Sequence, residues 1–416
     1  MLYHFFEATQ AALSPWRAAA HMNRLVLSNP ANPFSYSYPA KAATATLDVL
    51  EAASRQYPKP AWNIDAVQIA GEDYPVEQHS VARRAFCQLL RFDLGRGGSR
   101  AEKPKRPRML VVAPLSGHHA TLLRGTVARL VEDFDVFVTD WTDARTVAQS
   151  AGAFGLDDYI EYVMDFMREV GPNLHVLAVC QPGPAVLAAT ALLAAQSDVC
   201  QPATVTLMGS PIDTRKSPTE PNLLAKSKPF EWFRDNLIMR VPFPNRGAMR
   251  SVYPGFLQLS GFMNMNLKRH LSAHQSQYEN LLRGNRESVA AHREFYDEYL
   301  AVMDLPAEYF LDTIRVVFQE HQIAEGTMRW RDTPVDLGHI RATALMTVEG
   351  ENDDISGIGQ TQAAHDLCVN IPARKRLDYV QSDVGHYGVF NGRRWRTEIA
   401  PRILDFALSH PVPVCD

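Results

Sequence analysis

The stretch Leu174-His-Val-Leu-Ala-Val-Cys180-Gln-Pro-Gly-Pro184-Ala-Val-Leu-Ala-Ala-Thr-Ala-Leu-Leu-Ala-Ala195 reads as three pieces in a row. Val176 to Val179 is a short apolar run of strand character. Gln181-Pro182-Gly183-Pro184 is a tight turn. The alanine- and leucine-rich segment behind it has the composition of a helix that is apolar all round. One nucleophilic side chain, Cys180, stands where the strand gives way to the turn. At the start of a helix a thiol feels the positive end of the dipole, which favours the reactive thiolate. A cysteine in an apolar context is otherwise a buried, inert residue.

The alternation continues on both sides of this stretch. Met109 to Ala113 is a buried-strand run, followed by the loop Pro114-Leu115-Ser116-Gly117-His118-His119 and a helix through Leu122, Leu123, Val127 and Leu130. Val136-Phe137-Val138 is a strand ending in Thr139-Asp140-Trp141-Thr142-Asp143. Asp157 is the expected N-cap of a helix with the stripe Ile160, Val163, Met164 and Met167. Thr204 to Ser210 repeats the apolar strand. Successive β-α-β units with continuous apolar strands specify a mostly parallel sheet with helices on both faces.

The pattern stops at Pro211. The next stretch is mostly helical and rich in methionine and aromatic residues (among them Trp232, Phe256, Phe262, Met263, Tyr299 and Tyr309). Strand and helix resume at Ala342 to Val348, with a last strand over 374–380 and a terminal helix around Ile399 to Leu408. The expected division is an N-terminal helical arm packed on the core (1–60), a catalytic core (61–210 and 341–416) and an inserted helical cap (211–340). Such caps exclude water from a site. Within the arm, Phe5, Ala8, Ala12 and Trp16 recur at helical spacing and Ala42 to Ala53 is a second helix. The breaker Asn29-Pro-Ala-Asn-Pro33 lies between them, and Phe34, Tyr36 and Tyr38 offer a surface or oligomer contact. Residues 64–92 give two strands around a polar loop, and the basic run Gly95 to Arg108 (with Arg96, Arg100, Lys103 and Lys105) reads as a solvated hairpin or linker.

Composition narrows the function classes. The chain of 416 residues, 46% hydrophobic and 21% charged, has the balance of a soluble globular protein. A net charge of −4 gives no reason to expect nucleic acid as a partner. No run approaches the ~18–20 apolar residues of a membrane span, and the start lacks the pattern of a signal peptide. Five cysteines (Cys87, Cys180, Cys200, Cys368, Cys415) without paired spacing argue against a disulfide framework and against a metal site. A cytoplasmic setting follows as the expectation.

A strand, a sharp turn carrying the nucleophile and a helix form the elbow of α/β-hydrolases, whose consensus is Gly-x-Ser-x-Gly. Here Ala178 and the pair Pro182-Gly183 stand at the small positions. The fold class expected is therefore an α/β-hydrolase with an inserted helical cap. Its catalytic groups follow in the order nucleophile, acid, histidine. Cys180, Asp353 and His386 obey that order, each in the loop after a predicted strand, where open parallel sheets place their sites. Asp354 is the alternative acid, and Gly-x-x-Asp spacing from Gly350 selects Asp353. His386 would move the proton between thiol and leaving alkoxide, and Asp353 would orient the imidazole. The oxyanion would take the backbone N–H of Gln181 and one from Leu115 or Ser116. Pro182 is harmless as the first helical residue. Trp141, Phe262 and Met263 are candidates to line the substrate pocket. His118 and His119 would either orient the oxyanion loop or stand solvated.

With these residues assembled, the sequence resembles the intracellular poly(3-hydroxybutyrate) depolymerases of bacterial storage granules. The stretches that carry the likeness are Ala178-Val-Cys-Gln-Pro-Gly183, Val138-Thr-Asp-Trp-Thr-Asp-Ala144, Val348-Glu-Gly-Glu-Asn-Asp-Asp354 and Val384-Gly-His-Tyr-Gly-Val-Phe-Asn-Gly-Arg-Arg-Trp395. The resemblance covers nearly the full length. It implies a Cys180-His386-Asp353 triad that cleaves amorphous polyester at granule surfaces within the cell and releases 3-hydroxybutyrate or short oligomers. No cofactor is implied, although a thioester could pass to coenzyme A as well as to water. A homo-oligomer is compatible. The rival family is the polyhydroxyalkanoate synthases, with related fold and reverse chemistry. They normally carry Gly-x-Cys-x-Gly, so Cys180-Gln-Pro-Gly and Gly385-His-Tyr-Gly favour the depolymerases. The same residues are also compatible with a small-ester hydrolase or a non-catalytic granule-binding protein.

Overall fold

The computed structural model describes residues 2–95, 106–265 and 267–411. A nine-stranded sheet runs through the molecule: β1 (Ala66–Ile69), β2 (Glu72–Arg83), β3 (Cys87–Leu94), β4 (Arg108–Val112), β5 (Asp135–Trp141), β6 (Leu174–Val179), β7 (Thr204–Met208), β8 (Ala344–Gly350) and β9 (Arg376–Gln381). Its spatial order is β1-β2-β3-β5-β4-β6-β7-β8-β9. The first three strands are antiparallel and enter through the β3–β5 pair, and the six from β5 to β9 are parallel. This is the α/β-hydrolase fold. The order reverses at β4, so the crevice at the carboxyl ends of β4, β6 and their neighbours is where a ligand site belongs.

The central strands explain themselves. Every residue of β6 and β7 is buried, because helices cover both faces and no polar side is needed. Helix α5 (Gly183–Ala195) follows β6 and buries Gly183 through Leu193, so its apolar composition marks a helix without a solvent face. Helices α3 (Arg124–Val131) and α4 (Leu156–Val170) are amphipathic and join the preceding strands. The cap of α4 differs from the expectation. Gly155 is the N-cap, its N–H donates to Asp158, and Asp157 lies within the first turn. Pro182 likewise sits at the N-cap of α5, one position earlier than expected, and its missing N–H costs nothing there either.

β2 corrects the reading of residues 64–92. What reads as a polar loop is a twelve-residue strand, mostly exposed on both sides. Antiparallel edge regions can be solvated, so the apolar alternation that signals a strand is absent. Within the basic run, residues 96–105 lie outside the described part, as does Cys415. At its end, Arg106 and Arg108 donate to the carbonyls of Val131 and Val170, the last residues of α3 and α4, which is where a cation complements the helix dipole.

Between β7 and β8 the described residues include the α-helices α6 (Glu220–Ser227), α7 (Phe230–Leu237), α8 (Gly255–Met265), α9 (Leu267–Arg283), α10 (Arg286–Tyr299) and α11 (Ala307–Asp312), the last continued by a wider helical turn over Thr313–Gln319. Short strands also occur there, pairing Ser251–Tyr253 with Met239–Arg240 and Leu305–Pro306, which the helical reading omits. The arm consists of α1 (Leu2–Ser28) and α2 (Tyr38–Ser54). These helices rest chiefly on this inserted region, and beyond α2 Lys59 pairs with Asp140 on β5 at 2.5 Å. Tyr3 donates to Asp304 at 2.5 Å, Phe6 stacks on Phe256 with centroids 4.2 Å apart, and Arg293 pairs with Asp48. Burial and the neighbouring Asp143 push the Asp304 carboxyl up to about 7. No described helix is long and apolar enough to cross a membrane.

Candidate active site

Cys180 follows β6 directly, and its N–H still donates to Met208 at 2.7 Å, so the thiol is held at the sheet edge. Its φ of +65° is the strained elbow conformation, which costs a non-glycine residue about 1–2 kcal/mol. The turn can be this sharp because of Gly183. A Cβ there would lie 2.4 Å from Ser210 Cβ, so the consensus glycine has moved one place along the helix start. All four described cysteines are free, and Cys180 alone among them is not fully buried. Burial pushes the Cys87 thiol well up and that of Cys368 to about 12. These two thiols therefore stay protonated and inert.

Asp353 comes from the loop after β8. Its Oδ1 accepts from the N–H groups of Ile355 and Ser356 at 2.9 and 2.8 Å. That leaves Oδ2 to accept from His386 Nδ1 at 2.8 Å, and both groups are buried. The neighbouring Asp354 is exposed and does not hold that position. The loop is braced from below by buried Glu349, whose carboxylate accepts from the N–H groups of Gly359, Thr361 and Gln362. The Cys180 sulfur lies near enough to His386 to act on its charge. Burial opposes a charge on this imidazole, but Asp353, with its hydrogen bond, and the Cys180 sulfur outweigh it and raise its pKa well above the ordinary value. The histidine passes over Gly209 (φ +55°), where a Cβ would meet its Cε1 at 3.1 Å and Asp353 Oδ2 at 3.3 Å.

Leu115 N–H, one of the two candidates for the second oxyanion donor, already has an acceptor. It donates to the side-chain oxygen of Gln181 at 3.2 Å, and Gln181 Nε2 donates to the hydroxyl of Tyr309 on α11. Ser116 follows on the same loop and is half-buried. The loop is tied to the inserted region through His118. Burial lowers this imidazole to about 4, so it is neutral and donates its Nε2–H to the Tyr299 carbonyl at 3.0 Å. His119 is buried as well and lowered to about 3, chiefly by desolvation. Neither is a solvated loop histidine.

The expected lining residues separate. Phe262 on α8 is half-buried with its ring 5.2 Å from that of His118, and Met263 beside it is half-buried too. Trp141 does not line the pocket. It is fully buried, its indole donates to the Ala113 carbonyl at 2.8 Å, and it stacks on Tyr159 at 4.4 Å. Tyr159 stacks in turn on Tyr309 at 5.0 Å, so Trp141 backs the partner of Gln181 from the core. Two rings outside that expectation lie on the His386 side of the site. Tyr387 is 6.0 Å from the His386 ring, and Tyr299 is 6.1 Å from Tyr387. Tyr387 adjoins His386 in sequence, and that adjacency is its only local signal. Tyr299 is visible in the sequence only as one of many cap aromatics.

A family model described as PHB de-polymerase C-terminus matches residues 209–410. The match contains Asp353 and His386 and begins after Cys180. No curated protein matches the chain. Among solved structures, a monoacylglycerol lipase of Paleococcus ferrophilus is similar at 10% identity and a TM-score of 0.40, over 73% of this chain and 94% of that one. An esterase from Thermogutta terrifontis is similar at 11% identity and a TM-score of 0.40, over 84% of this chain and 98% of that one. The 2-hydroxy-6-oxo-6-phenylhexa-2,4-dienoate hydrolase of Rhodococcus sp. strain RHA1 is similar at 10% identity and a TM-score of 0.40, over 80% and 99%.

Proposed function

We propose that this chain, whose sheet has the α/β-hydrolase order and whose residues 209–410 match the PHB de-polymerase C-terminus, cleaves the ester bonds of amorphous poly(3-hydroxybutyrate) through a Cys180 thioester, at granule surfaces in the cytoplasm. The observation that carries this reading is the relay from Asp353 through His386 to Cys180 on a strained elbow. The Cys180 sulfur attacks the ester carbonyl carbon. The oxygen charge that develops is held by Gln181 N–H and Leu115 N–H. His386, as imidazolium, gives its proton to the departing alkoxide as the C–O bond breaks. Water then attacks the thioester, His386 accepts its proton, and the sulfur leaves as the 3-hydroxy acid departs.

The resting hydrogen bond between Leu115 and Gln181 supports a competitive step. The substrate carbonyl oxygen takes the place of Gln181 Oε1 on Leu115 N–H, while Tyr309 retains the displaced amide. A hydrogen bond of this kind contributes about 1 kcal/mol net, or about fivefold in an equilibrium. Gln181→Met, which keeps the backbone N–H and the side-chain volume, is therefore expected to raise kcat/KM for a soluble 3-hydroxybutyrate trimer by about three- to tenfold. A fall in kcat/KM would instead make Gln181 a strut that holds the loop.

The function is tested by incubating the protein with amorphous poly(3-hydroxybutyrate), with and without coenzyme A, and identifying the products. Expected are 3-hydroxybutyrate and short oligomers, unchanged by coenzyme A. Acyl-CoA as the product would replace water as the acceptor. Polymer growth from 3-hydroxybutyryl-CoA would move the chain to the synthases. Turnover confined to soluble nitrophenyl esters would make it a small-ester hydrolase.

A further inference from the structure

Helix α1 has two faces of opposite kind, and they are turned the unexpected way. Tyr3, Phe6, Gln10, Leu13, Arg17, Ala20, Arg24 and Leu27, spaced alternately three and four apart, form its shielded face. On that face Arg17 donates to the Ser54 carbonyl and Arg24 pairs with Glu51 on α2. The apolar stripe Phe5, Ala8, Ala12, Trp16, Ala19, Met22 and Val26 faces solvent along its whole length. It spans about 32 Å at the rise of an α-helix. The turn between α1 and α2 adds more exposed rings. Phe5, Trp16, Phe34, Tyr36 and Tyr38 are each between 69% and 75% exposed. A helix normally turns such a stripe to the core, and an exposed apolar face of this extent marks an interaction surface.

The chemistry of the surface selects its occupant. The stripe carries no charged residue, and residues 29–40 of the turn carry none either. An anionic lipid surface attracts lysine and arginine on the contacting helix, and this face offers neither. A polyester presents neutral apolar chain and ester carbonyls, which only accept hydrogen bonds. The turn supplies matching donors, the hydroxyls of the exposed Tyr36 and Tyr38. The arm is also joined to the helices that flank the site. Asp48 on α2 pairs with Arg293 on α10, whose terminal residue Tyr299 lies beside Tyr387 and thus next to His386. A surface held by the arm is held by the same body that roofs the triad.

We propose that the outward face of α1 and the α1–α2 turn form a docking surface for neutral, amorphous polyester, separate from the catalytic site. This rests on the depolymerase reading above, which it extends from bond cleavage to surface attachment. The reaction then has two stages. The arm adsorbs the enzyme through exposed rings, and chain segments reach Cys180 from the adsorbed state. Soluble oligomers need only the second stage.

The test uses the full chain with Cys180→Ala, which stops turnover during binding, on amorphous poly(3-hydroxybutyrate) particles. One variant carries Phe5→Gln, Trp16→Gln and Met22→Gln, and a second carries Phe34→Ser, Tyr36→Ser and Tyr38→Ser. All six side chains are exposed, so the fold is expected to persist, and thermal unfolding checks it. The expected result for each variant is adsorption weakened by about tenfold or more. With Cys180 restored, kcat/KM on the soluble trimer stays within about twofold, because the arm does not touch the triad. Trp16→Phe alone is expected to retain adsorption. Adsorption unchanged in both variants would overturn the proposal. So would a drop in molar mass by light scattering, which would make the stripe a contact between copies of the chain. Equal binding to neutral phosphatidylcholine vesicles, lost in the same variants, would overturn the choice of polyester. If the wild type cleaved neither trimer nor particles, the depolymerase reading would fail, while adsorption of the Cys180→Ala protein would still decide the arm.

Discussion

Replacing Cys180 with alanine is expected to lower kcat/KM on the soluble trimer by a factor on the order of 10⁴ or more, as loss of a covalent nucleophile does in acyl-transfer enzymes. The fold should be indifferent to the change. Cys180 is half-buried, so removing one sulfur leaves little cavity, and thermal unfolding is expected to shift by less than about 1 kcal/mol. The control is Cys368→Ala. That thiol is buried and pushed up to about 12, so it stays protonated, and its loss is expected to leave turnover unchanged. An alanine variant that kept more than about one per cent of the wild-type rate would remove the thioester from the mechanism. Cys180→Ser asks a finer question, because His386 must then remove a proton from an alcohol during the attack itself.

Asp353→Asn should be nearly as damaging, for a reason specific to this loop. Two backbone N–H groups, from Ile355 and Ser356, point at Oδ1. An asparagine must turn its carbonyl oxygen to them, which aims its NH₂ at His386 Nδ1. The imidazole then has to accept there and carry its proton on Nε2, the wrong tautomer to take a proton from Cys180. A loss of about 10³–10⁴-fold in kcat is the expected size for such an inversion. The pH profile should change as well. Asp353 is the strongest of the influences that raise the His386 pKa, so its removal lets the imidazolium lose its proton at lower pH. The alkaline limb of the rate profile should therefore move downward in pH. Asp354→Asn, on the exposed neighbour, should leave both rate and profile within about threefold. A comparable loss from both variants would point to general loop damage.

Much of the proposed catalytic layout is legible in the sequence because its signals are local. Buried parallel strands are continuous apolar runs, the elbow puts one nucleophile between a strand and a helix, and the acid and histidine follow later strands in a set order. Other features depend on distant partners. The Gln181 side chain acquires its role from Leu115 and Tyr309, 66 and 128 positions away. Trp141 reads as a pocket residue because it ends a strand at the site edge, yet β5 turns its ring inward to Tyr159. Strand β2 is hidden because a solvated antiparallel strand need not alternate.

The sequence alone determined the parallel sheet, its helical insertion and the order Cys180, Asp353, His386, since each follows from composition or spacing along the chain. It also determined that Phe5, Ala8, Ala12 and Trp16 share one face of a helix. Only the tertiary structure decided that this face looks outward and that Tyr3, Phe6 and Arg24 look in. Helical periodicity says which residues stand together, but the direction they face is set by what packs against the helix, and those partners lie on α2 and in the region around Asp304 and Phe256.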